Sequence, residues 1–171
     1  MSKRITFPTW KKIKIGTYRL SRQLRFAIGD HFDISAADLL QVIAIADGTI
    51  EIDLVNVSVG ELGFKDGAAR DGIDARAFAC GLALVPAEAA PQLFLQYPDQ
   101  PKGECLILAM RPGENSIGGS VVFCVENIAG TRFLSTRNGG LNVRWPAKTR
   151  FLYARKKKIA KSDKNMTGGR F

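Results

Sequence analysis

Histidine is nearly absent from this chain: of 171 residues, His31 alone is one. A histidine-based metal cluster within one chain is thereby excluded, and a Ser-His-Asp or Cys-His site must be built around that residue. His31 lies in Gly29-Asp30-His31-Phe32-Asp33, between two expected helices, where a linking or surface role is the ordinary one. Cysteine is scarce as well. Cys80, Cys105 and Cys124 form no CxxC, and an odd count argues against a disulfide framework. Each sits in an apolar setting with no basic residue adjacent in sequence, as in Val122-Phe123-Cys124-Val125, so small buried thiols are expected.

Other absences narrow the field further. No apolar run approaches the roughly 20 residues that span a bilayer, and Met1–Gly16 lacks the continuous apolar stretch of a signal peptide. A cytoplasmic protein without membrane partners is expected. No Walker A sequence is present. Ile117-Gly118-Gly119-Ser120 and Asn138-Gly139-Gly140 precede no expected helix and read as turns between strands rather than phosphate cradles. No cofactor and no metal site is expected, and neither a helix-turn-helix, a zinc finger nor an RRM signature supports specific base readout.

What is present is an uneven distribution of charge. Residues 1–25 carry eight bases and no acid; residues 26–131 carry fifteen acids and five bases; residues 132–171 carry twelve bases and one acid. The net charges are +8, −10 and +11, giving the overall +9. A mildly acidic body thus bears two basic ends. The apolar share of 46% is that of a globular protein, and the length suits one domain over 1–155 followed by a basic tail at 156–171.

Periodicity gives a coarse architecture. Trp10–Ile15 alternates lysine with isoleucine and suits a strand; Tyr18–Ile28 repeats Leu20, Leu24 and Ile28 at helical spacing. Ser35-Ala36-Ala37-Asp38 reads as a capping box opening a second helix that runs toward Asp47-Gly48, and Asp66-Gly67 opens a third that stops at Gly81. Thr49–Val59 is β-branched and alternating. Strands are then expected at Leu82–Val85, Leu93–Tyr97, Glu104–Met110, Ser120–Ile128, Arg132–Ser135, Asn142–Trp145 and Arg150–Ala154. The second and third of these read as a hairpin around Pro98–Gly103. Helices early and strands late point to α+β, with N-terminal helices packed on a largely antiparallel sheet formed mainly by the C-terminal half.

Four motifs, Glu61–Ala68, Pro86–Glu88, Pro91–Tyr97 and Asp99–Glu104, resemble a family of uncharacterised bacterial proteins. The resemblance runs from about Trp10 to Arg155. It implies no activity, cofactor or site residue. Cys105 stands where that pattern has an aromatic residue, and the tail beyond Lys156 is extra.

The basic ends carry the functional signal. Lys11, Lys12 and Lys14 adjoin Trp10, and Arg19, Arg22 and Arg25 recur every three residues along the first helix. At the other end Arg150, Arg155, Lys156, Lys157 and Lys158 surround Tyr153. Cations interleaved with aromatics contact phosphates and stack on bases, as single strands and structured RNA require. The expectation is a non-enzymatic nucleic-acid-binding protein, for RNA or single-stranded DNA, in which Trp10 and Tyr153 stack. Two alternatives stand beside it. One is a protein-binding inhibitor or assembly factor using an apolar patch around Phe94 and Tyr97. The other is a metal-dependent hydrolase using Glu88 with Asp99 or Glu104. Glu51 and Asp53, on one face of a strand, form a weaker carboxylate pair of the same kind.

Overall fold

The computed structural model describes residues 5–157. In chain order the elements are β1 (Lys11–Ile15), α1 (Ser21–Ile28), α2 (Ile34–Val42), β2 (Ile50–Ser58), β3 (Ala68–Ala69), α3 (Arg70–Ala79) and β4 (Leu82–Ala83). There follow α4 (Ala89–Gln96), β5 (Cys105–Leu108), β6 (Gly113–Glu114), β7 (Ser120–Ile128), β8 (Thr131–Asn138), β9 (Arg144–Trp145) and β10 (Arg150–Arg155). The class is α+β. No helix among the described residues is long and apolar enough to cross a membrane.

The main sheet runs β1-β2-β10-β5-β7, with β6 and β8 also paired to β7 and β4 to β10. Its pairings are antiparallel except β10 with β5, so the sheet is mixed. Most of its strands, β5, β6, β7, β8 and β10, come from the second half of the chain, and β1, β2 and β4 join them from the first. The last strand, β10, is inserted between β2 and β5, which ties the C-terminal end of the domain into its middle.

The largest correction to the sequence reading concerns Leu93–Tyr97, which belongs to a helix and not to a hairpin strand. Ala89, Ala90, Pro91, Gln92, Leu93 and Phe94 are all buried in α4. A helix with six of its eight residues buried has no broad polar face to reveal a 3.6-residue period, so a short apolar run imitates a buried strand. The helix contacts β1 at one end of the sheet and β7 and β8 at the other, so the sheet curls around it. Helix α1 packs on α2 and α4, thickening that layer.

Other boundaries shift for local reasons. The N-cap of α2 is Asp33, whose carboxylate accepts from the Ala36 amide at 2.7 Å, rather than Ser35. Helix α2 stops at Val42, well before Gly48. Helix α3 starts at Arg70, because Ala68 and Ala69 pair instead with Trp145 and Arg144 in a separate two-stranded ribbon.

Strand alternation sorts the side chains between the sheet's two faces. Ile13 and Ile15 lie across from Ile52 and Ile50 and point toward α4. Lys12 and Lys14, across from Asp53 and Glu51, point the other way. Tyr153 and Phe151, across from Val55 and Val57, share that second face, which α3 covers. There the Tyr153 hydroxyl donates to Asp74 at 2.6 Å, and the Arg70 guanidinium lies 5.6 Å from the centre of the Phe151 ring.

Candidate functional site

The two basic ends meet beside β2. Strand β1 pairs along one edge of β2 through Lys11–Ile15, and β10 pairs along the other through Arg150–Ala154. Arg155 continues β10 on the face that carries Lys12 and Lys14. Its guanidinium donates to the Phe7 carbonyl at 2.6 Å and to the Thr9 hydroxyl at 3.2 Å, pinning the segment before β1.

This register also makes a groove. Strand β10 ends across from the middle of β2, so residues 50–53 have β1 on one edge and no β10 on the other. The space left measures about 830 Å³. Ile50, Ile52, Cys80, Ala83, Pro86 and Ala154 give it apolar walls. Glu51, Asp53, Arg155, Lys156 and Lys157 supply the charged lining. The Lys156 amide donates to Gly81 at 3.0 Å, which holds the start of the tail against β4.

The remaining cations do not form one surface. Lys12 lies 3.5 Å from Glu51 and 3.7 Å from Asp53, so the acidic middle of the chain offsets it and supplies no bare carboxylate pair for a metal. Arg150 faces Glu61 at 3.5 Å, at the far end of β10 from Arg155. Arg19, Arg22 and Arg25 are exposed on or just before α1, on the α4 side of the sheet and away from Lys12 and Lys14. Arg25 lies over the Phe32 ring at 5.3 Å. Among the described residues Lys14, Arg19, Arg22, Lys156 and Lys157 make no ion pair. Lys158 lies outside the described residues.

The aromatic candidates divide. Tyr153 is fully buried and hydrogen-bonded to Asp74, so it cannot stack on a base, although Arg155 follows it on the same face of β10. Trp10 is half-buried, edge-on to Tyr97 at 5.2 Å. The Lys11 ammonium lies 4.6 Å from the Tyr97 ring centre and 5.5 Å from that of Trp10, a cation–π contact that fixes the edge of β1.

The carboxylate candidates are occupied. Glu88 is buried, and its two oxygens accept from the Gly16 amide at 2.6 Å and the Ala46 amide at 2.9 Å. It clamps two turns onto the start of α4. Gly16 is required there: its φ is +73°, and a Cβ would strike the Gly48 carbonyl. Asp99 and Glu104 lie beyond the other end of α4, a helix of eight residues spanning about 12 Å, so the three carboxyls do not converge. Glu104 lies instead beside Tyr97, whose hydroxyl is pushed up to about 12, first by burial and then by that carboxylate. Phe94 and Tyr97 are themselves buried, which removes the apolar patch expected around them.

The sequence reading missed one arrangement. Cys105 and Cys124 are not isolated thiols: their Sγ atoms are 2.9 Å apart, with the Arg137 guanidinium 3.7 Å from Cys105. The signal was available only through strand register, since 19 residues separate the cysteines in the chain. Comparison with family models, with curated proteins and with solved structures finds no match for this chain.

Proposed function

We propose that this protein binds single-stranded nucleic acid, RNA or DNA, without catalysing a reaction on it, and that the groove beside β2 is where the strand sits. The observation that carries the reading is the register of β10 on β2, which sets Arg155, Lys156 and Lys157 of the C-terminal end beside a space with apolar walls. Unpaired bases present flat apolar faces and a regularly charged backbone, so apolar walls with a cationic lining suit them better than a duplex whose bases are stacked inward. Glu51 and Asp53 within the same groove repel phosphates, which directs the backbone to the Lys156–Lys157 side and leaves amino and imino edges of bases for the carboxylates. The exposed arginines of α1 lie on another face and take no part in this site.

Fluorescence anisotropy with short labelled single strands of RNA and DNA, and with a duplex of the same sequence, tests the reading. Affinity is expected to be micromolar or better at low salt, weaker for the duplex. Its logarithm should fall with log salt by about 0.7 for each phosphate neutralised. Lys156→Glu with Lys157→Glu should lower affinity and flatten that slope by roughly 1.4, the share of two phosphates. Arg19→Glu with Arg22→Glu should change it little. No binding at low salt, or binding abolished by the α1 changes alone, would remove the proposal.

A further inference from the structure

Strands β5 and β7 pair with Cys105 opposite Glu126 and Ile107 opposite Cys124. The side chains of Cys105, Cys124 and Glu126 therefore share one face, and β8 adds Ser135 across from Cys124 and Arg137 across from Val122. The Ser135 hydroxyl donates to one Glu126 oxygen at 2.6 Å and the Arg137 guanidinium donates to the other at 2.6 Å. Cys124 is buried and Cys105 half-buried, with Arg137 beside it. This network lies apart from the groove beside β2.

Two chemistries suit a pair of thiols with a carboxylate. A soft metal would use the sulfur and oxygen atoms, which lie within 4.8 Å of one another. Here, however, both Glu126 oxygens are already taken by Ser135 and Arg137, and a guanidinium in the cluster repels an incoming cation. The same guanidinium favours an anion at Cys105. The hydrogen bond shared with Cys124 and, more weakly, Arg137 hold the Cys105 thiol below its ordinary range against burial and the Glu126 carboxylate, while that bond and burial push Cys124 well above it. The asymmetry separates an attacking thiol from a resolving one.

We propose that Cys105 and Cys124 are a reversible dithiol that is oxidised by hydroperoxides, with Cys105 as the nucleophile. The Cys105 thiolate attacks one peroxide oxygen, the O–O bond breaks, and the departing alkoxide takes a proton from water. Cys105 is left as a sulfenic acid. The Cys124 sulfur then attacks the Cys105 sulfur; the S–S bond forms, the S–O bond breaks, and the hydroxide leaves as water with the Cys124 proton. Two thiols and one hydroperoxide thus give a disulfide, an alcohol and water. A small dithiol reverses the bond by exchange. The two Sγ atoms, 2.9 Å apart, need only close to about 2.05 Å for the bridge to form.

The test treats the full chain with stoichiometric hydrogen peroxide, blocks remaining thiols with iodoacetamide and maps peptides by mass spectrometry. A Cys105–Cys124 peptide lacking two hydrogens is expected, with Cys80 alkylated, and dithiothreitol should restore both thiols. Cys124→Ser should trap a dimedone-reactive sulfenic acid at Cys105, and Cys105→Ser should give none at Cys124. Arg137→Met should slow oxidation of Cys105 at neutral pH, because the charge that favours its thiolate is gone. Because a changed core cysteine can impair folding, the unaltered chain supplies a second readout. Alkylation of Cys105 should outpace that of Cys80 and should turn on below the pH range of an ordinary thiol. The proposal is overturned if folded protein gives no bridge, if Cys80 oxidises first, or if zinc protects both thiols while peroxide leaves them unlinked.

Discussion

Arg70 is only 2% exposed, yet it carries a full charge into the protein. Its Nε lies 2.9 Å from Asp74, and its Nη2 donates to the Met110 carbonyl at 2.9 Å, while Tyr153 supplies Asp74 with a further donor. Removing one member of such a pair strands the other in a medium that solvates it poorly. Asp74→Asn is therefore expected to cost about 3–5 kcal/mol, read as a fall in the urea midpoint. Tyr153→Phe should cost about 1–3 kcal/mol and leave nucleic-acid affinity per folded molecule unchanged. A loss of affinity with stability intact would instead restore Tyr153 as a stacking residue. Glu88 makes a parallel case. Glu88→Gln keeps the shape but turns one acceptor into a donor facing a backbone N–H, so about 1.5–3 kcal/mol should be lost in the same measurement. Neither role could be read from the chain, because the partners of Glu88 lie 72 and 42 residues away and those of Tyr153 lie 79.

At the scale of elements, legibility followed exposure. Strands β1 and β2 appear in the sequence with nearly their observed limits, because Lys12, Lys14, Glu51 and Asp53 mark outward positions that alternate with isoleucines along β1 and the start of β2. Helix α1 shows its stripe through Leu24 and Ile28, although Leu20 lies just outside it and is 44% exposed. Helix α4 was illegible because it is the centre around which the sheet curls. Its edge contact is also made by side chains, with Gln96 accepting from the Lys14 amide at 2.9 Å and donating to the Lys14 carbonyl at 2.7 Å. That pairing imitates a missing neighbour strand and blunts the open edge of β1. Leu93→Ala in the middle of α4 should open a cavity and cost about 2–5 kcal/mol, whereas Leu20→Ala should fall within about 0.5 kcal/mol. Equal effects of the two in thermal or urea unfolding would contradict the central placement of α4.

On the whole-molecule scale, the +8, −10, +11 layout is a property of the chain that the fold partly undoes. Acids of the middle segment meet bases of the ends at Lys12 and Arg150, and the α1 arginines are carried to another face, so the groove beside β2 retains only part of the terminal charge. Charge counting along the sequence could show that the ends are basic, but only strand order decides which cations meet. The two faces of the sheet also share a titration behaviour that bears on global stability. Tyr97, on the α4 side, has its hydroxyl pushed up to about 12 by burial and the Glu104 carboxylate, and Tyr153, on the α3 side, is raised further by burial and Asp74. Below about pH 10 both phenols hold their protons in the folded and unfolded chains alike, and their contribution is fully present. Between pH 10 and 12 the unfolded chain releases these protons while the folded one retains them, so stability declines as pH rises through that window. The urea midpoint should therefore drop across it. Tyr97→Phe combined with Tyr153→Phe should start lower at neutral pH, having lost the Asp74 hydrogen bond, and then decline less steeply. Every other group is the same in both proteins, so the difference between the two slopes isolates the phenols. Parallel slopes would mean that neither hydroxyl is held in its protonated form by the fold.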